Sequence, residues 1–278
     1  MIPPIARRFV AGESAASALE HTRRLNDDGV GVILNLLGEH YEERGPADGD
    51  TDAYRELLAE LGGTGLDACI SVKPSQLGLD VGEGAFRENL ERVVAAAAEH
   101  GRFVWIDMED HTTTDATLDA FEAAVERYPR MGLCLQANLK RTPDDVERLA
   151  GLPGKVRLVK GAYEEPPDVA YAEKARIDEA YRELLEQAFR TFDGVVGVGS
   201  HDPEMLGLAA DLQEEYGTDY EVQMLMGVRE DTQRELAADG VPVYQYAPYG
   251  TRWLSYFYRR VMERKENALF ALRAVVNG

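Results

Sequence analysis

Val156-Arg157-Leu158-Val159-Lys160-Gly161-Ala162-Tyr163 is a short, β-prone apolar run with one cation inside it, a second at its carboxyl end and a glycine just beyond. Its length, its valines and the closing glycine favour a strand over a buried stretch of helix. Counted as 155–160, it is one of eight such runs; the others are 30–37, 67–73, 102–107, 131–138, 194–199, 220–226 and 241–247. Helical patterns separate them at 52–61, 84–100, 115–128, 143–150, 168–192, 203–216 and 229–238, and one more at 14–28 precedes the first strand and would cover the bottom or side. Parallel strands need crossovers of this length. Eight alternations close into a (β/α)8 barrel, an α/β fold of TIM type. The alternative, an open doubly wound sheet, uses fewer strands and places a nucleotide loop after the first.

Asp52, Thr114 and Thr142-Pro143-Asp144-Asp145 are expected helix starts, Gly101, Gly217 and Gly240 expected stops, and the Gly/Asp-rich segment 45–52 reads as a loop. One domain over 1–278 is expected, because 45% hydrophobic residues spread along 278 positions can fill a single barrel core.

The formal net charge is -20, with 50 Asp and Glu against 24 Arg and six Lys. Nucleic acid is not an expected partner, since a phosphate backbone needs a cationic footprint. A Lys-poor acidic surface suits high salt, where self-repulsion is screened, and it equally fits an ordinary acidic cytosolic protein. Cys69 and Cys134 lie in apolar runs and read as buried small hydrophobes in a reducing compartment, though the pair also permits one disulfide. The N-terminus lacks a signal peptide's apolar stretch and no run reaches membrane-spanning length, so the expected location is the cytoplasm.

In a parallel barrel, catalytic groups gather where the strands end. Lys73 closes the second run, Asp107 the third, and Gln136 lies near the end of the fourth. Arg157 and Lys160 sit in the fifth, three apart and therefore on opposite faces. Ser200-His201-Asp202 follow the sixth, Gln223 interrupts the seventh and Tyr246 ends the eighth. Charges in runs this apolar must be paired or solvated by a site. A mouth lined by these residues satisfies that need, and so would an interior ion-pair network of Lys73, Asp107 and Arg157 with no chemistry. The last helical pattern, Trp253 to Lys265, carries Arg259, Arg260 and Glu263. Arg259 and Glu263 can pair locally, or both arginines can hold a carboxylate if the helix crosses the mouth.

No metal is expected, because His21, His40, His100, His111 and His201 are scattered and the cysteines are not paired in a ligand motif. Gly194 to Gly199 lacks the dinucleotide fingerprint, and there is neither a P-loop nor a nucleophile elbow. Readings as a hydrolase or an NTPase therefore lose support.

Arg157-Leu158-Val159-Lys160-Gly161-Ala162-Tyr163 resembles the fifth-strand motif of the proline dehydrogenase family. Ser71-Val72-Lys73, Ile106-Asp107-Met108-Glu109-Asp110, Gln136 to Thr142, Ser200-His201-Asp202, Gln223-Met224-Leu225, Tyr246-Ala247-Pro248-Tyr249-Gly250 and Tyr258-Arg259-Arg260 with Glu263 and Asn267 extend the resemblance in order through all eight units. It implies a distorted barrel, with a C-terminal helix over the mouth, that holds FAD without a covalent link and oxidises L-proline to Δ1-pyrroline-5-carboxylate. By the same resemblance Lys73, Arg259 and Arg260 bind the substrate carboxylate and Tyr246 packs on the pyrrolidine ring. Asp107 holds Lys73 charged and aimed, and Arg157 sits beside flavin N5. Gln136 and Gln223 meet the polar edge of the flavin, and Met108, Lys160, Gly161, Ala162, Ser200 and His201 hold the rest. Electrons would pass to a quinone or similar acceptor, with the protein peripheral at the inner face of the membrane. The chain stops soon after the arginine pair, so the product is expected to go to a separate pyrroline-5-carboxylate dehydrogenase.

The sequence departs from the family at Pro74, where Leu is more usual, at Asn138, where an aromatic is common, and at Ser200, which stands for Thr. Three other readings fit parts of the pattern: a Schiff-base lyase with Lys160 or Lys73 as nucleophile, a flavin enzyme for a related imino acid such as hydroxyproline, and a barrel that binds without turnover.

Overall fold

The computed structural model describes residues 6–254, 256 and 257. Eight parallel strands close into a barrel in sequence order: β1 Gly31–Leu36, β2 Ala68–Val72, β3 Val104–Ile106, β4 Met131–Gln136, β5 Lys155–Val159, β6 Val196–Gly199, β7 Tyr220–Leu225 and β8 Val243–Tyr249. The seam between β8 and β1 runs from Gly31↔Tyr244 to Leu36↔Tyr249. The helices are α1 Ala15–Asp27, α2 Arg44–Gly62, α3 Glu83–Glu99, α4 Thr114–Val125, α5 Thr142–Leu149, α6 Lys174–Thr191, α7 Pro203–Tyr216 and α8 Glu230–Ala238. The large core lies between the strands and this ring of helices, where Val32, Leu34, Ile70, Leu133 and Val198 meet Tyr54, Phe86, Phe121 and Phe189.

Inside the barrel a second, smaller apolar cluster is centred on Ile33, Cys69 and Trp105. Its packing pairs large side chains with glycines. A Cβ on Gly132 would lie 2.3 Å from Trp105 Cζ3, and one on Gly31 would lie 2.4 Å from Tyr244 Cε1, so the two rings occupy space that any other residue would fill. Trp105 thereby forms a plug in mid-barrel beneath the carboxyl-end mouth. Both cysteines are free and buried, so the permitted disulfide is not formed.

Three sequence expectations are corrected. Segment 45–52 is not a loop but the start of α2, so Asp52 lies inside that helix. Pro46 falls in the first turn, where the missing N–H would be unpartnered anyway, and Ala47, Thr51, Tyr54, Leu58 and Leu61 form one buried stripe. The helix expected from 168 starts at Lys174, because the backbone ahead of it is engaged sideways. Tyr171 N donates to Asn138 O at 2.7 Å and Lys140 N to Val169 O at 2.9 Å. Finally, Tyr246 does not end the eighth strand, since pairing with β1 continues for three more residues. The expected last helix falls mostly outside the described residues, and Arg259, Arg260 and Glu263 lie there.

Candidate active site

Along each strand alternate side chains enter the barrel. This parity sends Ser71 inward on β2, Cys134 and Gln136 on β4, Arg157 on β5 and Gln223 on β7, while Lys73 and Asp107 follow the ends of β2 and β3. They converge at the carboxyl ends of the strands, on the floor of a cavity of 800 Å³. Twelve of the expected site residues are described, and all twelve line it: Lys73, Asp107, Met108, Gln136, Arg157, Lys160, Gly161, Ala162, Ser200, His201, Gln223 and Tyr246. Arg259 and Arg260 lie outside the described residues. Arg157 and Lys160 were expected on opposite faces, yet both reach the cavity, because β5 ends at Val159 and strand alternation no longer governs Lys160.

The centre of the floor is Asp107. Its Oδ1 accepts from Ser71 Oγ at 2.6 Å and pairs with Arg157 Nη2, and its Oδ2 accepts from the Tyr246 hydroxyl at 2.7 Å. Lys73 Nζ stands 3.5 Å from the same Oδ2. Burial by itself would favour the protonated acid, but Lys73 and Arg157, helped by the bonds from Ser71 and Tyr246, hold the Asp107 carboxyl below the usual range. A carboxylate so stabilised is a poor proton acceptor. Burial would likewise favour a neutral amine at Lys73, but the Asp107 charge overrides it and raises the ammonium above its ordinary value. Arg157 lies between aromatic faces, its Cζ 5.0 Å from the Trp105 ring centre and 5.7 Å from that of Tyr246. Two cations thus share one carboxylate, which leaves positive charge for an anion arriving from the mouth.

The wall of the cavity is held by polar bonds. Gln136 Nε2 donates to Glu109 O at 2.6 Å, and Ala162 N donates to Gln136 Oε1 at 3.4 Å. Lys160 pairs with Asp178 and, at 3.2 Å, with Asp202, which anchors the strand end to α6 and α7. Asp202 N donates to Ser200 Oγ at 3.1 Å, and His201 O accepts from Arg229 Nη1 at 2.8 Å. These pairings count against either lysine as a Schiff-base nucleophile: Lys73 is held as an ammonium, and Lys160 is engaged by two carboxylates.

Sequence reasoning passed over Ser71, Glu221, Cys134, Glu39, Tyr163 and Arg252. Ser71 binds Asp107 directly, and the last four line the cavity. Parity would have found three of them, because Ser71, Cys134 and Glu221 sit two residues before Lys73, Gln136 and Gln223 and so share their face. Glu109 was quoted in a motif but given no role. It is fully buried and accepts from Ser75 N at 2.7 Å and Ser75 Oγ at 2.8 Å, and burial raises its carboxyl despite Lys73 and those bonds.

Among the described residues no group of three or more His, Cys, Asp or Glu could hold a metal ion, and no helix is long and apolar enough to cross a membrane.

Residues 18–273 match the family model described as proline dehydrogenase. A proline dehydrogenase of Deinococcus radiodurans is 37% identical over 282 residues, covering 99% of this chain and 91% of that protein. Proline dehydrogenase 1 of Bacillus subtilis is 32% identical over 274 residues, covering 98% of this chain and 90% of that protein. Among solved structures, proline utilization A of Bdellovibrio bacteriovorus superimposes with a TM-score of 0.84 at 24% identity, over 93% of this chain and 32% of that one. This chain spans about a third of that protein, and at such identity the likeness is one of fold. The family match runs through every strand that contributes to the cavity floor, and the near full-length relatives exceed 30% identity: this chain belongs to the proline dehydrogenase family, and its reaction is the oxidation of proline, the first step of proline catabolism.

Proposed function

We propose that the cavity holds FAD and L-proline side by side and that its floor orients the substrate for oxidation to Δ1-pyrroline-5-carboxylate. The observation that carries this reading is the pair of cations, part-buried Lys73 and buried Arg157, sharing the single carboxylate of Asp107. Lys73 is the group for the substrate carboxylate, and Asp107 keeps it charged and aimed. Arg259 and Arg260 would complete that clamp by resemblance.

A cavity of 800 Å³ is much larger than one proline needs and lies toward the upper end of the ~300–1,000 Å³ usual for ligand sites, so a second occupant fits. The donor set suits a flavin dinucleotide. Gln136 and Gln223 offer amides for a heteroaromatic edge, Lys160, Lys174 and His201 supply nitrogen groups at another part of the wall, and Gly161 and Ala162 let the backbone approach. Asn138 Oδ1, packed against Gly161, is a buried acceptor with no hydrogen-bond partner among the described residues. In the bound state FAD would accept the hydride that leaves C5 of the ring and then pass electrons to a quinone-type acceptor.

The chain's own contribution is orientation and charge. Tyr246 is tied to Asp107 through its hydroxyl, which leaves its ring as an apolar wall for the pyrrolidine. Arg157 supplies a fixed positive charge where electron density accumulates. Because Asp107 is a weak base, the substrate amine must lose its proton before oxidation. Activity therefore rises with pH on the acid side.

The experiment is an absorbance spectrum of the purified protein before and after adding L-proline without oxygen. Flavin bands that bleach with proline are expected. If protein purified with FAD present shows no such bands, the cofactor assignment fails; if bands persist on adding proline, the substrate geometry fails. Lys73→Met should raise KM for proline at least ~100-fold, the loss of about 3 kcal/mol of charge-assisted binding, while flavin is retained.

A further inference from the structure

Below the cavity floor the barrel interior carries a two-rung polar ladder across β6. On β5 the inward residues are Lys155 and Arg157, and on β7 they are Glu221 and Gln223. Between them, Gly197 pairs in register with Arg157 on one side and Glu221 on the other. A Cβ there would lie 3.0 Å from Gln223 Nε2 and 3.2 Å from Arg157 Cβ, so the absent side chain is what lets the two strands' side chains meet. Lys155 Nζ pairs with Glu221 Oε2 to form the lower rung, and Arg157 Nη1 donates to Gln223 Oε1 at 3.1 Å to form the upper one. Gln223 Nε2 donates to Glu221 Oε1 at 2.7 Å and joins the rungs.

An amide can turn over, and its two ends are chemically opposite. Gln223 shows its oxygen to Arg157 only while its nitrogen has an acceptor beneath it, and Glu221 is that acceptor. Glu221 is 3% exposed while the Lys155 side chain is 25% exposed, and burying a carboxylate in this way is costly enough that an apolar residue could serve stability as well. Orienting Gln223 is a role that an apolar residue at this position could not fill. We propose that Glu221 is a positioning residue for proline oxidation: it sets the Gln223 amide so that Arg157 is held at the cavity floor. This rests on the reading of Arg157 as the cation beside the flavin.

The test compares Glu221→Gln, Lys155→Met, the double variant K155M/E221Q and the double variant K155M/E221M, with Arg157→Met as a control on the underlying reading. In E221Q the new amide oxygen is drawn to Lys155, so its NH2 faces Gln223 and turns that amide over. A donor then faces Arg157. The expected result is a bound flavin whose two-electron reduction is about tenfold less favourable, ~30 mV lower in midpoint potential, with kcat lowered and KM for proline nearly unchanged. K155M should lower thermal stability, because it leaves Glu221 without its cation, but should leave the potential alone.

The two neutral double variants separate orientation from charge and carry the comparison if E221Q does not fold. K155M/E221Q keeps an acceptor under Gln223 and should retain the parent potential, whereas K155M/E221M has none and should show the shift. Equal potentials in these two proteins would overturn the proposal while a shifted R157M left the Arg157 reading intact. An unshifted R157M would remove that reading, and the proposal with it.

Discussion

Replacing Asp107 with Asn tests whether one carboxylate holds the floor together. The structure places Ser71 and Arg157 on Oδ1 and Tyr246 and Lys73 on Oδ2, so donors converge on both oxygens. Asparagine has one carbonyl oxygen, and its NH2 must face donors on one side or the other. Arg157, 4% exposed, loses its carboxylate and keeps the Gln223 oxygen, the Ser71 hydroxyl at 3.5 Å and the two aromatic faces. Removing one partner of a buried pair costs about 3–5 kcal/mol. For 278 residues, an unfolding entropy of ~2.1 cal/mol/K per residue amounts to ~0.6 kcal/mol/K, so Tm should fall by roughly 5–9 °C. The assay is thermal unfolding without substrate, checked by urea unfolding at 25 °C. A carboxylate ligand at about 100 times its Kd should recover ~2.7 kcal/mol of that loss. A fall in Tm below about 2 °C would show that Lys73 and Arg157 do not depend on Asp107, and the account of the floor would be wrong.

Gly132→Ala sets a methyl 2.3 Å from Trp105 Cζ3 in a closed barrel, so destabilisation at or above about 3 kcal/mol is expected, read as the shift in urea midpoint. Burial lowers the pKa of His21 below its ordinary 6.5 even though its Nε2 bonds to Gln245 Oε1. The unfolded chain therefore binds more protons there, and this contribution to stability, complete above pH 6.5, is lost as pH falls through the folded pKa. His21→Gln should flatten the fall of Tm below pH 6.5, and an unchanged slope would remove His21 as its source. Glu165 clasps the loop after β5 to His111, accepting from its backbone N at 2.9 Å and pairing with its ring Nδ1. Glu165→Ala should cost that loop about 1–3 kcal/mol, so limited proteolysis between 160 and 173 should quicken at least fivefold without a matching fall in global Tm.

The repeat of short apolar runs and helical patterns was enough to determine the barrel, because a strand of five residues and its crossover helix each carry their own periodicity. The same local signals failed where a tertiary partner outweighed them. Segment 45–52 has a loop's composition, yet it is helical because its apolar stripe continues into Tyr54 and Leu58 against the barrel. Residues 168–173 fit a helical pattern, yet Asn138 and Lys140 engage their backbone. Polar residues at strand ends marked nine of the twelve expected positions that share one cavity, since strand ends in a parallel barrel have only one place to meet, while Met108, Gly161 and Ala162 came only with the family resemblance. Apart from the pairing of Lys73 with Asp107, which the resemblance implied, their connections were not legible. Which oxygen of Asp107 serves Arg157 and which serves Tyr246, and that Glu221 reaches Gln223 beneath Arg157, depend on the stagger of β2, β3, β5, β7 and β8 around the barrel. That stagger is a property of closure, and no single strand encodes it.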